Sequence, residues 1–507
     1  MSSREQSIQT QAKKKIKRSA NSNATSQFSL LLREDPALYV VEKTDLMTLE
    51  EAARLTSKTP YNIRDYLQRG RITKFDPDGN VIDHAENGQL RVSMKELRAF
   101  LYLVTQRDEK HHCAGLHPEL GFYDVPEHQR TKHVHRLHPY LGKFIPQLVD
   151  WFLRRYFKAG NWILDPFMGS GTTLVQACEL GMASVGIDIS EFNCLIARVK
   201  LAQYDLVKAQ QEVLEVESRV QKFSNRLNQT KDPSPTLFPE DKLKALKKSL
   251  LAECKSEYLR TWFAPKALLE MLYYRRLIPH YHYQDLLRVV LSRAVRSSRL
   301  VPHYDLATPR APIPAGKSYW CRKHNRICMP IDNCMEKIHA YSEDTVRRLA
   351  TFDGLRSEQP AIVVNGDSRF AELDRVLPHD TKLDGIFTSP PYVGQIDYHD
   401  QHTYAYELFG ITRRDTSEIG PKRGGKSKRA QDTYVDDISA VFAHCCKYLK
   451  PDGKVFIVAN DKMNLYPTIA EKSGLRIKET ILRAVTKRTE QGDDPYQESI
   501  FLCVKTR

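Results

Sequence analysis

The strongest constraint in this chain is a glycine turn that directly follows a short apolar run. Trp162-Ile163-Leu164 leads into Asp165-Pro166-Phe167-Met168-Gly169-Ser170-Gly171-Thr172-Thr173. A buried strand ending in two glycines lets the backbone turn sharply and approach a ligand with no Cβ in the way, and a helix is expected from Thr172. A second strand, Val185-Gly186-Ile187, ends in Asp188, where a carboxylate can accept two hydrogen bonds from a ribose diol. A third, Ala361-Ile362-Val363-Val364, is followed by Asn365-Gly366-Asp367-Ser368. A P-loop is excluded, because no Lys-Ser/Thr follows the glycines. The plainer alternative is a turn that serves only helix–strand packing, and the two further carboxylates weigh against it.

A second motif, Thr388-Ser389-Pro390-Pro391-Tyr392, follows the strand-like run Leu383–Thr388. Consecutive prolines fix φ and lack amide donors, so such an elbow is rigid and keeps its carbonyls available. An exocyclic amine on a heteroaromatic ring is a poor nucleophile because its lone pair is delocalised. Ser389 Oγ and the Pro390 carbonyl, each accepting from one N–H, would draw the nitrogen toward tetrahedral geometry and stabilise its developing positive charge. Tyr392 offers a stacking face for an extruded base.

Together these two motifs resemble those of the DNA amino-methyltransferases, the cytosine-N4/adenine-N6 family. The resemblance implies a Rossmann-like α/β sheet that binds S-adenosyl-L-methionine, with Asp165, Pro166, Phe167, Gly169, Gly171 and Thr172 around the methionine moiety, Asp188 on the ribose and Asp367 near the adenine. It makes Ser389, Pro390, Pro391 and Tyr392 the catalytic set. Ser in place of an acidic first residue is closer to the cytosine-N4 enzymes, although family members cross that line. Carbon-5 methylation is excluded, because the chain lacks the Pro-Cys dipeptide that supplies its nucleophile. An adenine-N6 enzyme, an RNA guanine-N2 methyltransferase with a similar turn, and a non-catalytic DNA-binding regulator remain as alternatives. The family expectation is a modification enzyme beside a separately encoded restriction nuclease or other defence proteins.

With 507 residues the chain suggests about three domains. Lys and Arg total 77 against 62 Asp and Glu, a net charge of +15, which favours a polyanionic partner such as double-stranded DNA. Ten cysteines without regular pairing and a polar start point to reduced thiols in a bacterial or archaeal cytoplasm. No run of about 18 apolar residues is present, so no membrane span is expected. Residues 1–27 read as a disordered basic tail. Residues 40–105 read as helix, turn, helix, basic wing and helix, opened by a capping box from Thr48 to Glu51. That order resembles the winged helix-turn-helix modules of the MerR and excisionase type, in which Arg64, Arg69, Arg71 and Arg91 would face DNA.

The catalytic domain is expected over 130–195 and 360–507. Residues 136–156 read as one helix beside the first strand, and 412–431 as a mobile basic loop. Residues 196–359 form a helical insert, the expected target-recognition region, in which Ser292–Leu300 is a candidate for phosphate or base-edge contacts. Cys321, His324 and Cys328 have the spacing of three zinc ligands, with His303 or Cys334 as candidate fourth, although the double-pair signature is missing.

Overall fold

The computed structural model describes residues 45–56, 59–68, 72–82, 89–94, 96–97, 117–122, 125, 131–140, 142, 144–228, 240–306, 309–322, 324–484 and 497–506. The chain divides into two compact units, one built from residues 1–116 and 123–126, the other from 117–122 and 127–507. The tail over 1–27 lies outside the described residues.

In the smaller unit, strand β1 (Leu46–Met47) precedes helices α1 (Leu49–Thr56) and α2 (Pro60–Gln68), and β2 (Val92–Ser93) pairs antiparallel with β1. The expected capping box is present: Thr48 Oγ1 accepts from Glu51 N at 3.2 Å, and Glu51 Oε2 accepts from Thr48 N at 3.0 Å. Ala52, Ile63, Leu67, Val92 and Leu97 make its core. Asp76–Asn80 forms a turn, and Phe75 bridges both Val81 and Arg91, giving a small wing. Arg64 is exposed on α2. Arg69 and Arg71 lie outside the described residues, as does most of the third helix.

The larger unit begins with α3 (Pro146–Tyr156) and β3 (Trp162–Asp165), then α4 (Thr172–Glu179), β4 (Ala183–Asp188) and α5 (Glu191–Leu201). Among the described residues six helices follow: α6 (Leu206–Asn228), α7 (Glu240–Glu253), α8 (Glu257–Trp262), α9 (Pro265–Leu277), α10 (Gln284–Ser297) and, after the hairpin β5 (Tyr319–Cys321) and β6 (Arg326–Cys328), α11 (Met335–Asp353). The sheet then resumes with β7 (Ala361–Asn365), β8 (Leu383–Thr388), α12 (Thr403–Phe409), α13 (Lys428–Cys446), β9 (Leu449–Ala459), α14 (Tyr466–Lys472), β10 (Leu475–Ala484) and β11 (Gln497–Lys505). The strand order is β10-β11-β9-β8-β3-β4-β7. The run from β7 to β9 is parallel, and β11 is antiparallel to both β9 and β10. This is the expected α/β Rossmann-like architecture, with the antiparallel strand and β10 added to it.

Parallel strands need covering on both faces, and the burial pattern obeys: five of the six residues of β8, Leu383 and Gly385–Thr388, are buried. One face packs on α13 and α14 through Ile438, Phe442 and Ile469. Helices α6, α9, α10 and α11 share one apolar cluster with α4 and α5, through Val213, Phe223, Met271, Leu287 and Ile338. Two expectations change here. The segment Ser292–Leu300 is core: Arg293 is buried against Asp344 and over the Tyr341 ring, and Arg299 is buried over the Tyr404 ring and donates to the Arg296 and Leu306 carbonyls. These cations satisfy neighbouring elements. Residues 412–431 are also built in place, since Arg413 pairs with Asp400 and Asp415, Arg423 pairs with Glu418, and α13 starts at Lys428.

Candidate active site

In the strand order, β3 and β8 are neighbours, and the chain leaves β3 toward β4 on one side and β8 toward β9 on the other, so these two connections run in opposite directions. Open α/β sheets leave a crevice at the carboxyl ends of their strands at such a reversal. Both sequence motifs fall there: the glycine turn follows β3 and Ser389 follows β8. A single cleft is lined by Pro166, Phe167, Gly169, Thr172, Asp188, Asp367, Ser389 and Pro391. Gly169 and Ser389 therefore face one space.

The turn needs its glycines. Gly169 has φ +51°, and a Cβ there would lie 3.0 Å from the Tyr140 ring; Gly171 has φ +80°, and its Cβ would come within 3.1 Å of Ala197 Cβ. Gly171 thus serves the packing of α4 on α5, whereas Gly169 opens the cleft. The buried Lys200 reaches from α5 and donates to the Ser170 carbonyl at 2.5 Å, and Ser368 Oγ donates to the Pro166 carbonyl at 2.5 Å.

Asp188 Oδ1 accepts from Ser190 N at 2.8 Å and Asn193 Nδ2 at 3.1 Å, and Oδ2 accepts from Gly169 N at 2.9 Å. That occupies three of about four lone-pair sites, which leaves Oδ2 one acceptor position, where the sequence suggested two. Burial outweighs these hydrogen bonds and pushes the Asp188 carboxyl up to about 7.

Asp165 is buried and is not on the cleft wall. It accepts from Thr173 Oγ1 at 2.6 Å, from Phe167 N at 3.1 Å and from Thr388 Oγ1 at 2.7 Å, with burial raising its pKa to about 6. One carboxyl thereby joins the turn after β3 and the first turn of α4 to the last residue of β8. Asp367 is gripped by Arg369, whose Nη2 lies 2.6 Å from Oδ2 and whose Nη1 lies 2.5 Å from Asp437. Pro390 is buried, and the half-buried Tyr392 donates through its hydroxyl to Glu498 Oε1 at 3.2 Å. Neither of these last two lines the cleft.

Several wall residues were not identified from the sequence. Tyr140, Gly142 and Phe144 line the cleft because α3 starts only at Pro146, not near Arg136. Pro139, Gly142 and Pro146 were the available signal, since each punctuates a helix. Tyr398, His399 and Ser417–Ile419 complete the wall. Behind it, Tyr406 Oη sits 2.6 Å from both Ser190 Oγ and His399 Nδ1. Burial, with Arg296 and Arg299 nearby, lowers the His402 pKa to about 3, so this ring is neutral.

Among the described residues, His303, Cys321, His324 and Cys328 also converge, with ligand atoms all within 4.8 Å of one another. Cys334 is not among them. It precedes α11 and is buried in the helical core, where burial raises its thiol to about 12.

The cradle above fits an S-adenosylmethionine-dependent enzyme, and the comparisons agree with it. The family model described as DNA methylase matches residues 38–199. The Type II methyltransferase M.MjaII of Methanocaldococcus jannaschii is 38% identical over 90% of this chain and 96% of its own length. The Type II methyltransferase M.BsoBI of Geobacillus stearothermophilus is 24% identical over 57% of this chain and 55% of its own. Among solved structures, TrmN from Thermus thermophilus aligns with 72% of this chain and 50% of its own at 12% identity with a TM-score of 0.27, too loose to bear on the reaction. The near-complete match to a relative at this identity makes the chain a member of the DNA amino-methyltransferase family.

Proposed function

We propose that the protein methylates the exocyclic N4 of cytosine at a specific sequence in double-stranded DNA, as the modification enzyme of a restriction–modification or phage-defence system. The observation that carries the reading is Ser389 on the same cleft as Gly169 and Asp188. Two relatives named as Type II methyltransferases support the setting. A companion nuclease and a cytoplasmic location belong to the same reading. No helix among the described residues is long and apolar enough to cross a membrane.

Asp188 accepts from a ribose hydroxyl, Gly169 and the Tyr140 ring bound the methionine side, and Asp367, whose carboxylate is already held by Arg369, lies on the adenine side. S-adenosylmethionine, when bound, supplies an electrophilic methyl group. Ser389 Oγ, on the cleft wall, accepts from one amine N–H of the flipped base, and the Pro390 carbonyl, behind that wall, accepts from the other only if the base displaces the elbow, so lone-pair localisation rests first on Ser389. No side chain forms a covalent bond to the base, and holding the partners in line contributes about 7–11 kcal/mol. Arg64 and Arg91 of the smaller unit contribute to DNA binding, together with Arg69 and Arg71.

The test is transfer from labelled S-adenosylmethionine to unmethylated DNA and to RNA, followed by nucleoside digestion and mass spectrometry. N4-methylcytosine in DNA is expected. N6-methyladenine reassigns the base, N2-methylguanine in RNA reassigns the substrate, and no transfer to any of them overturns the catalytic reading.

A further inference from the structure

The hairpin between α10 and α11 belongs to no hydrophobic cluster among the described residues. Its strands are three residues each, and an isolated hairpin of that size is marginal in water. Trp320 and Ile327, paired across one face, are 58% and 69% exposed. On the other face Tyr319 pairs with Cys328 and Cys321 with Arg326, and both cysteines are buried. Cys178, Cys194, Cys254, Cys334, Cys445, Cys446 and Cys503 are buried inside apolar clusters, whereas Cys321 and Cys328 belong to none. Their surroundings include two histidines. Cys328 Sγ lies 3.5 Å from His324 Nδ1, Cys321 Sγ lies 3.9 Å from His303 Nδ1, and the two imidazole rings are 5.0 Å apart between centroids.

Zn–S bonds of about 2.3 Å and Zn–N bonds of about 2.0–2.1 Å at tetrahedral angles place neighbouring ligand atoms about 3.3–3.8 Å apart. The 3.5 Å Cys328–His324 separation falls at that spacing, the 3.9 Å Cys321–His303 separation lies just beyond it, and all four ligand atoms lie within 4.8 Å of one another. The backbone also serves the arrangement. Asn325, at φ +50°, turns the chain between the two cysteines, and Tyr319 Oη accepts from His303 N at 2.9 Å, which fixes the residue contributed from outside the hairpin.

We infer that His303, Cys321, His324 and Cys328 form a closed four-ligand zinc site that holds this hairpin in place. Four protein ligands leave no open position, so the ion is structural. Binding requires both thiols deprotonated and both imidazoles neutral, so uptake releases protons and weakens as pH falls.

The full-length protein, purified under reducing conditions from zinc-supplemented cells, is expected to carry about one zinc per chain by elemental analysis. After removal of zinc, Co2+ should give intense tetrahedral d–d bands and thiolate charge-transfer absorption. Cys321→Ser with Cys328→Ser should lose the metal, and Cys334→Ala should keep it. His324→Cys, which keeps four ligands, should retain Co2+ with stronger thiolate absorption. The inference is overturned by wild-type protein that neither carries zinc nor gives these Co2+ bands, by metal retained in the double-serine variant, or by a Cys321–Cys328 disulfide in the reduced preparation. None of these readouts depends on methyl transfer.

Discussion

If Asp188 holds the ribose as proposed, it joins cofactor binding to pH. Its carboxylate already accepts three N–H groups and has one acceptor position left. Replacing it with Asn puts an amide donor opposite either Gly169 N or the Ser190 and Asn193 donors, and removes the charge from every hydrogen bond it makes. A charge-assisted hydrogen bond is worth about 1.5–3 kcal/mol. Losing the ribose contact and loosening the Gly169 turn together should cost about 2–4 kcal/mol, or thirty- to a thousandfold in Kd. The pH dependence is specified as well. Burial raises the Asp188 carboxyl to about 7, so the free protein holds a proton there below pH 7 that binding must displace. Affinity for S-adenosylmethionine should fall about tenfold per pH unit below 7 and level off above it. In the unliganded protein the same raised pKa makes the folded state the better proton binder, so this group's contribution to stability declines as pH rises from about 4 to 7. Calorimetric titration of S-adenosylmethionine into wild type and Asp188→Asn between pH 5.5 and 8.5 tests both points. Equal affinities at pH 8, or a wild-type Kd that does not change with pH, would refute the assigned role.

Ser389→Ala should bind S-adenosylmethionine as wild type does and lose 10²–10³-fold or more in kcat, the usual loss for one oriented transition-state hydrogen bond; filter binding and single-turnover transfer measure the two. Gly385→Ala should destabilise the fold by about 1–3 kcal/mol, because its Cβ would lie 2.2 Å from the Phe157 ring and 2.9 Å from the Lys454 carbonyl; a thermal melt unchanged from wild type would contradict the packing of β8. Burial acts to raise the Asp344 carboxyl, but hydrogen bonds from Arg348 and Arg293 outweigh it and hold its pKa well below the usual carboxylate range. Its stabilisation is therefore present above about pH 4 and is lost as pH falls. Asp344→Asn should lower the melting temperature at pH 7, and the difference should shrink in acid.

The β3 turn and the β8 elbow were legible in the sequence because their chemistry is local. Gly169 marks a turn, and Ser-Pro-Pro marks a rigid one, whatever surrounds them. The division of labour inside each motif was not local. Asp165 and Gly171 read as ligand contacts, yet Asp165 bonds Thr388 across the sheet and Gly171 clears space for Ala197. Both roles depend on neighbours far away in sequence. The arginines of Ser292–Leu300 misled for the same reason, since a charge pattern on one helix does not reveal that Asp344 and Tyr404 wait on others. Tyr140 and Phe144 were hidden by an apolar periodicity that continued unbroken across Pro139 and Gly142.

The bond between Asp165 and Thr388 joins residues 223 positions apart. Closing a loop of that length costs about 5 kcal/mol of chain entropy, a cost that the local β3–α4–β4 unit does not incur. Folding should therefore build the cradle early and the elbow late, after the intervening helices have collapsed on α5. A nascent chain that has emerged only through β7 owns half a cleft. Refolding experiments should find methyl transfer recovering more slowly than helical signal, with a lag that shortens when the helices between β4 and β7 are stabilised.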